Sequence, residues 1–299
     1  MVETRHCPRA TIHYVVHSGQ SQAFRPLLYH SRHRRLPVET FTLNELVGRF
    51  GAVYLEANER VSFHVVVLCL GGGGSHHVDF TEVPLRRRRV LHVRPTQVQR
   101  WDFSRPYDAR LLLFPDSPGL PGGPRWPVGP SFVDLPEWPW MDAMQTIALI
   151  EEEQENFTGG PEAVEMLESL RRLVVLQLRL GRTTEQHAAM VPRPYLEFRD
   201  AIQADLGRSH KVADYASRLG YSARTLSRAC HEARGETAKQ VLDEWIGLEA
   251  RRLLAGSEQP IASIARALGF DEPSNFVKFF RRVAGDTPST FRRSHRTSD

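Results

Sequence analysis

Cysteine, lysine and long apolar runs are all scarce in this sequence. Its 299 residues contain three cysteines, Cys7, Cys69 and Cys230, too few for a disulfide framework or for a four-thiolate zinc site built from one chain. They are read as free, reduced thiols. No stretch approaches the roughly 18 consecutive apolar residues of a membrane helix, since the longest, Val65 to Leu70, runs into four glycines. Met1 to Ala10 carries charges where a secretion signal needs an apolar core. A cytoplasmic protein with no membrane partner is therefore expected.

What is present is an ordinary globular composition rich in arginine. With 41% hydrophobic residues and a net charge of +4, a mainly disordered chain is excluded. At about 100 to 200 residues per domain, the length favours two domains. Only three of the 39 basic residues are lysines, Lys211, Lys239 and Lys278, all in the last third. Residues 195–299 carry 17 basic and 14 acidic side chains (net +3), whereas residues 1–194 carry 22 and 21 (net +1). The balance leans weakly toward a polyanionic partner at the C-terminal end.

An internal repeat is the most informative feature. Val212 to Tyr221 (VADYASRLGY) aligns, 49 residues later, with Ile261 to Phe270 (IASIARALGF). In both copies apolar residues recur at i, i+3, i+4 and i+7: Val212, Tyr215, Ala216 and Leu219, then Ile261, Ile264, Ala265 and Leu268. That spacing is one buried face of a helix. Gly220 and Gly269 follow as helix stops, and a glycine turn leading into a second helix is the helix-turn-helix pattern. The second helix repeats as well, with Leu226, Ala229 and Cys230 matched by Phe276, Phe279 and Phe280. Thr237 with Gln240 forms a capping box, and Thr287 is followed by Pro288 at a first helical position. Between the modules, Ala238 to Ala255 predicts a connecting helix about 27 Å long. Such a length is compatible with two reading helices placed about 34 Å apart, one turn of B-DNA.

Removing the core positions leaves the outer face of each second helix. It comprises Arg224, Thr225, Ser227, Arg228 and His231 in the first module, and Ser274, Asn275, Val277, Lys278 and Arg281 in the second. Arg and Lys suit guanine edges, Asn suits adenine, and the small residues suit a thymine methyl or a phosphate. A single amphipathic helix with a basic face is more simply a solvated surface; two copies at fixed spacing argue against that.

These residues resemble a known family. Residues 195–299 look like the DNA-binding domain of the AraC/XylS transcriptional regulators, through Tyr221 to Arg228 (YSARTLSR), Leu248 to Leu254 (LEARRLL), Ile261 to Phe270, Ser274 to Arg281 (SNFVKFFR) and Gly285 to Arg292 (GDTPSTFR). The resemblance implies an all-α domain whose two helix-turn-helix units, joined by a linker helix, enter successive major grooves on one face of double-stranded DNA. It implies a regulator, most often an activator, that works with RNA polymerase. Carried over by position, Arg224, Ser227 and Arg228 become the first module's base readers, and Ser274, Asn275 and Lys278 the second's. Pro273 and Phe279 depart from the family pattern and point to more packing and phosphate contact in the second module, with Arg281, Arg282, Arg292 and Arg293 as positioning charges.

The N-terminal part predicts short strands over 52–56, 61–70, 76–80, 89–94, 97–103 and 110–114, with Gly71 to Gly74 as a hairpin link. Val90 to Pro95 followed by Thr96 to Trp101 resembles the strand, turn and strand of the cupin-like effector domains of the same family. The expected architecture is α+β: a cupin-like β-barrel sensor over 1–139, a helical pair over 140–180, a linker over 181–194, and the double helix-turn-helix domain over 195–299. Pro115 to Pro139 reads as an irregular crossing segment. The second helix of the pair carries the stripe Val164, Leu167, Leu170, Val174 and Leu178, to be buried on the barrel or in a dimer contact.

No chemistry of an enzyme stands out. His76 and His77 are adjacent and so point to opposite faces of a strand. His77 with Asp79, approached by His64 or His92, is the residual metal candidate and ranks well below ordinary barrel or surface histidines. Gly74-Ser75-His76 lacks the second glycine of a nucleophile elbow, and the four glycines lack the lysine of a phosphate loop. Arg86 to Arg89 reads as a solvated charge run at a strand edge rather than an anion site. No catalytic residue, metal or cofactor is assigned. The expected function is a sequence-specific regulator sensing a small-molecule effector. The rivals are a regulator controlled by a protein partner or by abundance, and a metal-binding cupin enzyme fused to a DNA-binding domain.

Overall fold

A computed structural model describes residues 2–3, 12–14, 16–17, 25–29, 36–115, 132–180 and 191–295. Cys7, residues 181–190 of the expected linker and most of the expected crossing segment lie outside the described residues. The described residues up to Leu180 fall in one compact unit, rich in β-structure, and those from Val191 onward in a second, helical one.

In the first unit β1 (Val2–Glu3) and β3 (Val16–His17) form a small ribbon. One sheet has the order β13 (Phe132–Asp134), β10 (Arg89–Val93), β7 (Phe63–Gly72), β12 (Tyr107–Pro115), β5 (Glu39–Thr42). The other has the order β2 (Ile12–Tyr14), β4 (Arg25–Tyr29), β6 (Glu59–Val61), β11 (Val98–Asp102), β8 (Ser75–Val78), β9 (Thr81–Pro84). Among the described residues these strands form two facing sheets, without closure into the single barrel expected.

The central strand β7 explains why Val65 to Leu70 is apolar without alternation. Val65, Val67 and Cys69 pack between the sheets with Leu91, Leu111, Val78 and Trp101. Val66 and Leu68 face the other way, onto α3 (Glu137–Glu155) and α4 (Pro161–Leu180) through Trp140, Ile147, Leu167 and Val174. A strand covered on both faces carries a continuous apolar run. The stripe foreseen on α4 is thus satisfied within the unit, with Leu167, Val174 and Leu178 buried.

Two expectations are corrected. Residues 52–55 are not a strand but a single helical turn, α2 (Ala52–Leu55), which follows α1 (Leu43–Phe50) after Gly51 at φ 78°. A capping box of Thr42 and Glu45 starts α1, and four residues are too few to reveal which period they follow. Gly71 to Gly74 is not a hairpin link either, because β7 and β8 belong to different sheets. The glycines carry the chain across the edge of the sandwich, where the Tyr107 backbone lies 2.4 Å from any Cβ placed on Gly72.

The arginine run is a structural fastening. Asp134 accepts from both Arg86 and Arg89, and the buried Arg89 guanidinium also donates to Pro84 O at 2.6 Å and lies over the Phe132 ring. Arg88 pairs with Glu137 at 3.6 Å. These contacts tie β10 and β13 to the start of α3.

The histidines divide between two environments. His64 Nδ1 lies 2.9 Å from His92 Nε2 on the helix-covered side of the first sheet, and His64 stacks on Phe114. His76 lies between the sheets with its ring edge against Trp101. His77, on the outer side, meets Arg100 at 3.2 Å, whereas Asp79 turns away to Gln97 and the Val98 amide. Among the described residues no three metal-ligating side chains converge.

Burial holds the buried histidines neutral, His76 at about 3 and His92 well below the ordinary value. Unfolding would let both bind protons once the pH falls below about 6.5. The stability of this unit should therefore fall as the pH is lowered below about 6.5, by on the order of 1 kcal/mol per pH unit from His76 down to about pH 3, with His92 acting in the same direction. Denaturant melts of wild type and His76→Gln across that range test this, and the variant should show the shallower slope.

Candidate nucleic-acid interface

The second unit is built from α5 (Arg193–Ala204), α6 (Val212–Leu219), α7 (Ala223–Arg234), α8 (Ala238–Gly256), α9 (Ile261–Ala267), α10 (Pro273–Ala284) and α11 (Pro288–His295). The long α8 is the spine. Ala238, Val241, Leu242, Ile246, Gly247, Ala250, Leu254 and Ala255 are buried on it, and helices of both modules pack against it. Gly247 lets α10 approach, because a Cβ there would stand 2.9 Å from Val283 Cγ2. The capping box of Thr237 and Gln240 is formed with both of its bonds.

Each module places its second helix by the same local rules. In the first, α6 ends at Gly220 in the left-handed conformation, and Ser222 caps α7 by accepting from the Thr225 amide at 3.0 Å. Leu226, Ala229 and Cys230 turn inward, and burial raises the Cys230 thiol to about 11, so it is an inert core group. In the second, Gly269 makes the turn at φ 79° and Pro273 takes the first turn of α10, with no side-chain cap. Phe276 and Phe280 are buried, while Phe279 is half-buried against Phe270.

The side chains singled out from the sequence all lie on α7 and α10. Arg224, Arg228 and His231 are exposed, and Ser227 is half-buried. Thr225 is half-buried too, and its hydroxyl is engaged with Ser222 Oγ at 2.8 Å. On α10, Ser274, Asn275, Lys278 and Arg281 are exposed and Val277 is half-buried. The two sets correspond position by position at an offset of 50 residues, so each helix presents the same positions outward.

Some cations of this unit are tied to carboxylates and others are not. Arg208 and Arg218 both bind Asp205, at 2.9 and 2.6 Å, and Arg234 binds Glu236 and Glu244 at 3.0 and 2.7 Å. Arg282 is held by Asp243 at 3.0 Å and Arg292 donates to Gln259 O at 2.7 Å, so two of the expected positioning charges serve the fold. By contrast, Arg224, Arg228, Lys278 and Arg281 extend into solvent with no side-chain ion pair among the described residues. Unpaired, exposed guanidinium and ammonium groups keep their donors available for phosphate and base edges.

Sequence reasoning missed a polar set in the first unit. The strand register turns Glu59, His76 and Gln99 into the space between the sheets beside Val78 and Trp101. All three are buried. Gln99 Nε2 is 3.5 Å from Glu59 Oε2, and Gln99 also interacts with the His76 ring. Only strand pairing across β6, β11 and β8 brings them together, and no local spacing signals it.

A family model described as "Helix-turn-helix domain" matches residues 215–294. The chain is 32% identical over 142 residues to the HTH-type transcriptional activator RhaS of Pectobacterium atrosepticum, covering 45% of this chain and 48% of that protein. It is 28% identical over 141 residues to the HTH-type transcriptional activator RhaR of Yersinia pseudotuberculosis, covering 46% and 49%. The match thus spans about half the length of these curated relatives. Among solved structures, the DNA-binding domain of AdpA in complex with a target DNA is 28% identical, with a TM-score of 0.33, covering 35% of this chain and 95% of that one.

The cap on α7 offers a direct check of the local account. Ser222→Ala should lower the stability of the helical unit by about 1 kcal/mol, read as a shift in its denaturation midpoint. Residues 215–294, with two helix-turn-helix modules on a common spine, thus match a helix-turn-helix domain family.

Proposed function

We propose that the protein is a sequence-specific transcription regulator, acting as an activator in the cytoplasm, that reads double-stranded DNA through α7 and α10. The observation that carries this is the pair of equivalent exposed faces whose cations Arg224, Arg228, Lys278 and Arg281 make no side-chain ion pair among the described residues. Arg224, Ser227 and Arg228 are assigned as base readers of the first module, and Ser274, Asn275 and Lys278 as those of the second. His231 and Arg281, one helical turn further along, suit phosphates, and Thr225 contributes chiefly to the cap of its helix. RNA polymerase is the partner through which such an activator acts.

The first unit is assigned as a cupin-like sensor. The buried polar cluster of Glu59, His76 and Gln99 between the sheets, with hydrogen-bonding capacity left over among the described residues, favours a small polar effector or ordered water there. An effector bound there alters regulation only if it favours one arrangement of the protein over another. Thermal-shift screening of the whole protein against small polar metabolites tests this. A stabilising compound whose effect is lost in His76→Phe supports the assignment, and no stabilising compound favours control by a protein partner or by abundance.

The α3 and α4 pair also leaves Trp138, Met141, Leu149, Met166, Leu173 and Leu176 exposed on its outer side. This apolar surface suits a second copy of the chain. In multi-angle light scattering, Leu173→Glu with Leu176→Glu should shift a dimer to monomer, and a monomeric wild type would remove the homodimer.

Selection of bound sequences from random DNA by the whole protein tests DNA reading. An enriched motif spanning two neighbouring major grooves is expected. Arg228→Ala should then weaken binding by about 1 to 3 kcal/mol and relax the preference at one base pair. No enrichment would refute the proposed function.

A further inference from the structure

The two turn glycines of the repeat differ in one respect. A Cβ on Gly220 would meet nothing within 4 Å, whereas a Cβ on Gly269 would stand 1.9 Å from the carbonyl oxygen of Gly207. The reverse holds as well, since a Cβ on Gly207 would stand 2.7 Å from Ala267 O. Both glycines have positive φ, 89° and 79°. The loop between α5 and α6, part of the first module, therefore abuts the backbone of the turn that launches α10 in the second.

Side chains close a ring around this contact. His210, on the loop, donates from Nε2 to Leu268 O at 2.7 Å, and its ring packs on Phe270 at 4.3 Å and beside Phe279 of α10. Lys239 of α8 donates to His210 O at 3.1 Å and pairs with Asp243 at 2.7 Å. The buried Asp243 carboxylate also holds Arg282 of α10 at 3.0 Å, and the Arg282 guanidinium lies over Phe279. The circuit thus runs from the loop of the first module through the spine to the second reading helix, and back to the loop.

We infer that His210 and Asp243 are positioning residues for DNA recognition: with Gly207 and Gly269 they clamp α10 at a fixed offset from α7 and so set the spacing between the two DNA half-sites. The inference rests on the proposed reading of DNA by both helices. Neither side chain lies on a reading face, so the clamp acts on geometry rather than on base contact. A helix packed on α8 by apolar side chains alone can roll or slide on that smooth surface. A backbone contact without Cβ atoms, a hydrogen bond to a turn carbonyl and a buried carboxylate shared by two cations are directional and resist such motion.

The test uses the full-length protein and the DNA site it selects from a random library, prepared with the half-sites at the selected spacing and with one base pair inserted or deleted. Wild type should lose at least about tenfold in affinity at the altered spacings. His210→Ala and, at nearly constant volume, Asp243→Asn should reduce that discrimination to about threefold or less while keeping the base preference within each half-site. Gly220→Ala strains the equivalent turn of the first module without touching the clamp, and should lower stability while keeping wild-type spacing discrimination. Folded variants that discriminate like wild type would overturn the clamp and leave DNA reading intact, as would a wild type indifferent to spacing. Failure of both His210→Ala and Asp243→Asn to fold, judged by circular dichroism, would make the ring a core contact and also overturn it. Failure of wild type to select any sequence would instead remove the reading on which it rests.

Discussion

Burial of α8 on nearly all sides is the constraint that organises the helical unit. A helix flanked by two modules must offer apolar or small residues around most of its circumference, and Ala238, Val241, Leu242, Ile246, Gly247, Ala250, Leu254 and Ala255 do so. Fully burying a single leucine or isoleucine contributes about 1.5 to 3 kcal/mol, so the spine and what leans on it dominate the stability of this part. Two carboxylate-centred contacts, at Asp205 and Asp243, add direction to that packing. They matter less as energy, since the cations they bind are mostly exposed, than as a restriction on which way each element can turn.

The first unit solves a different problem with a similar economy. Its central strand β7 is covered on one side by the second sheet and on the other by α3 and α4. Layering of this kind removes both faces of the first sheet from water and leaves the space between the sheets as the interior into which polar side chains can be turned. Glu59, His76 and Gln99 are turned there, at a desolvation cost that a purely structural core would avoid. Arg89 and Asp134 meet the same cost at the sheet edge with a two-pronged pair and a carbonyl, leaving little of the guanidinium unsatisfied.

The two modules share one pattern and use it unequally. Equivalent glycines at 220 and 269 both adopt positive φ, yet only the second lies against another backbone. Equivalent helices present equivalent outward registers, yet α7 starts on a serine cap and α10 on proline with an aromatic core. Sequence identity at a repeat therefore conveys the conformation a position needs but not the neighbours it meets.

The helical unit was legible because its information is local. Periodicity, glycine stops and capping residues act within a few positions of the chain, so the boundaries of α7 and α10 and the inward direction of Leu226, Cys230, Phe276 and Phe280 follow from spacing alone. The strands were legible as elements and misleading as architecture: β7, β10 and β12 were foreseen approximately, but residues 52–55 turned out helical and the glycine run crossed between sheets. Strand pairing is set by contacts between residues far apart in sequence, and a four-residue segment is too short to declare a period. The same reason hid the convergence of Glu59, His76 and Gln99, the capture of Arg282 by Asp243, and the approach of Gly207 to Gly269. By itself the sequence determined which residues form helices and which of their faces turn outward, because hydrophobic period and caps are properties of adjacent residues. Only the tertiary structure decided which charges are spent on the fold and which stay available, because that depends on what the folded chain brings within about 4 Å of each.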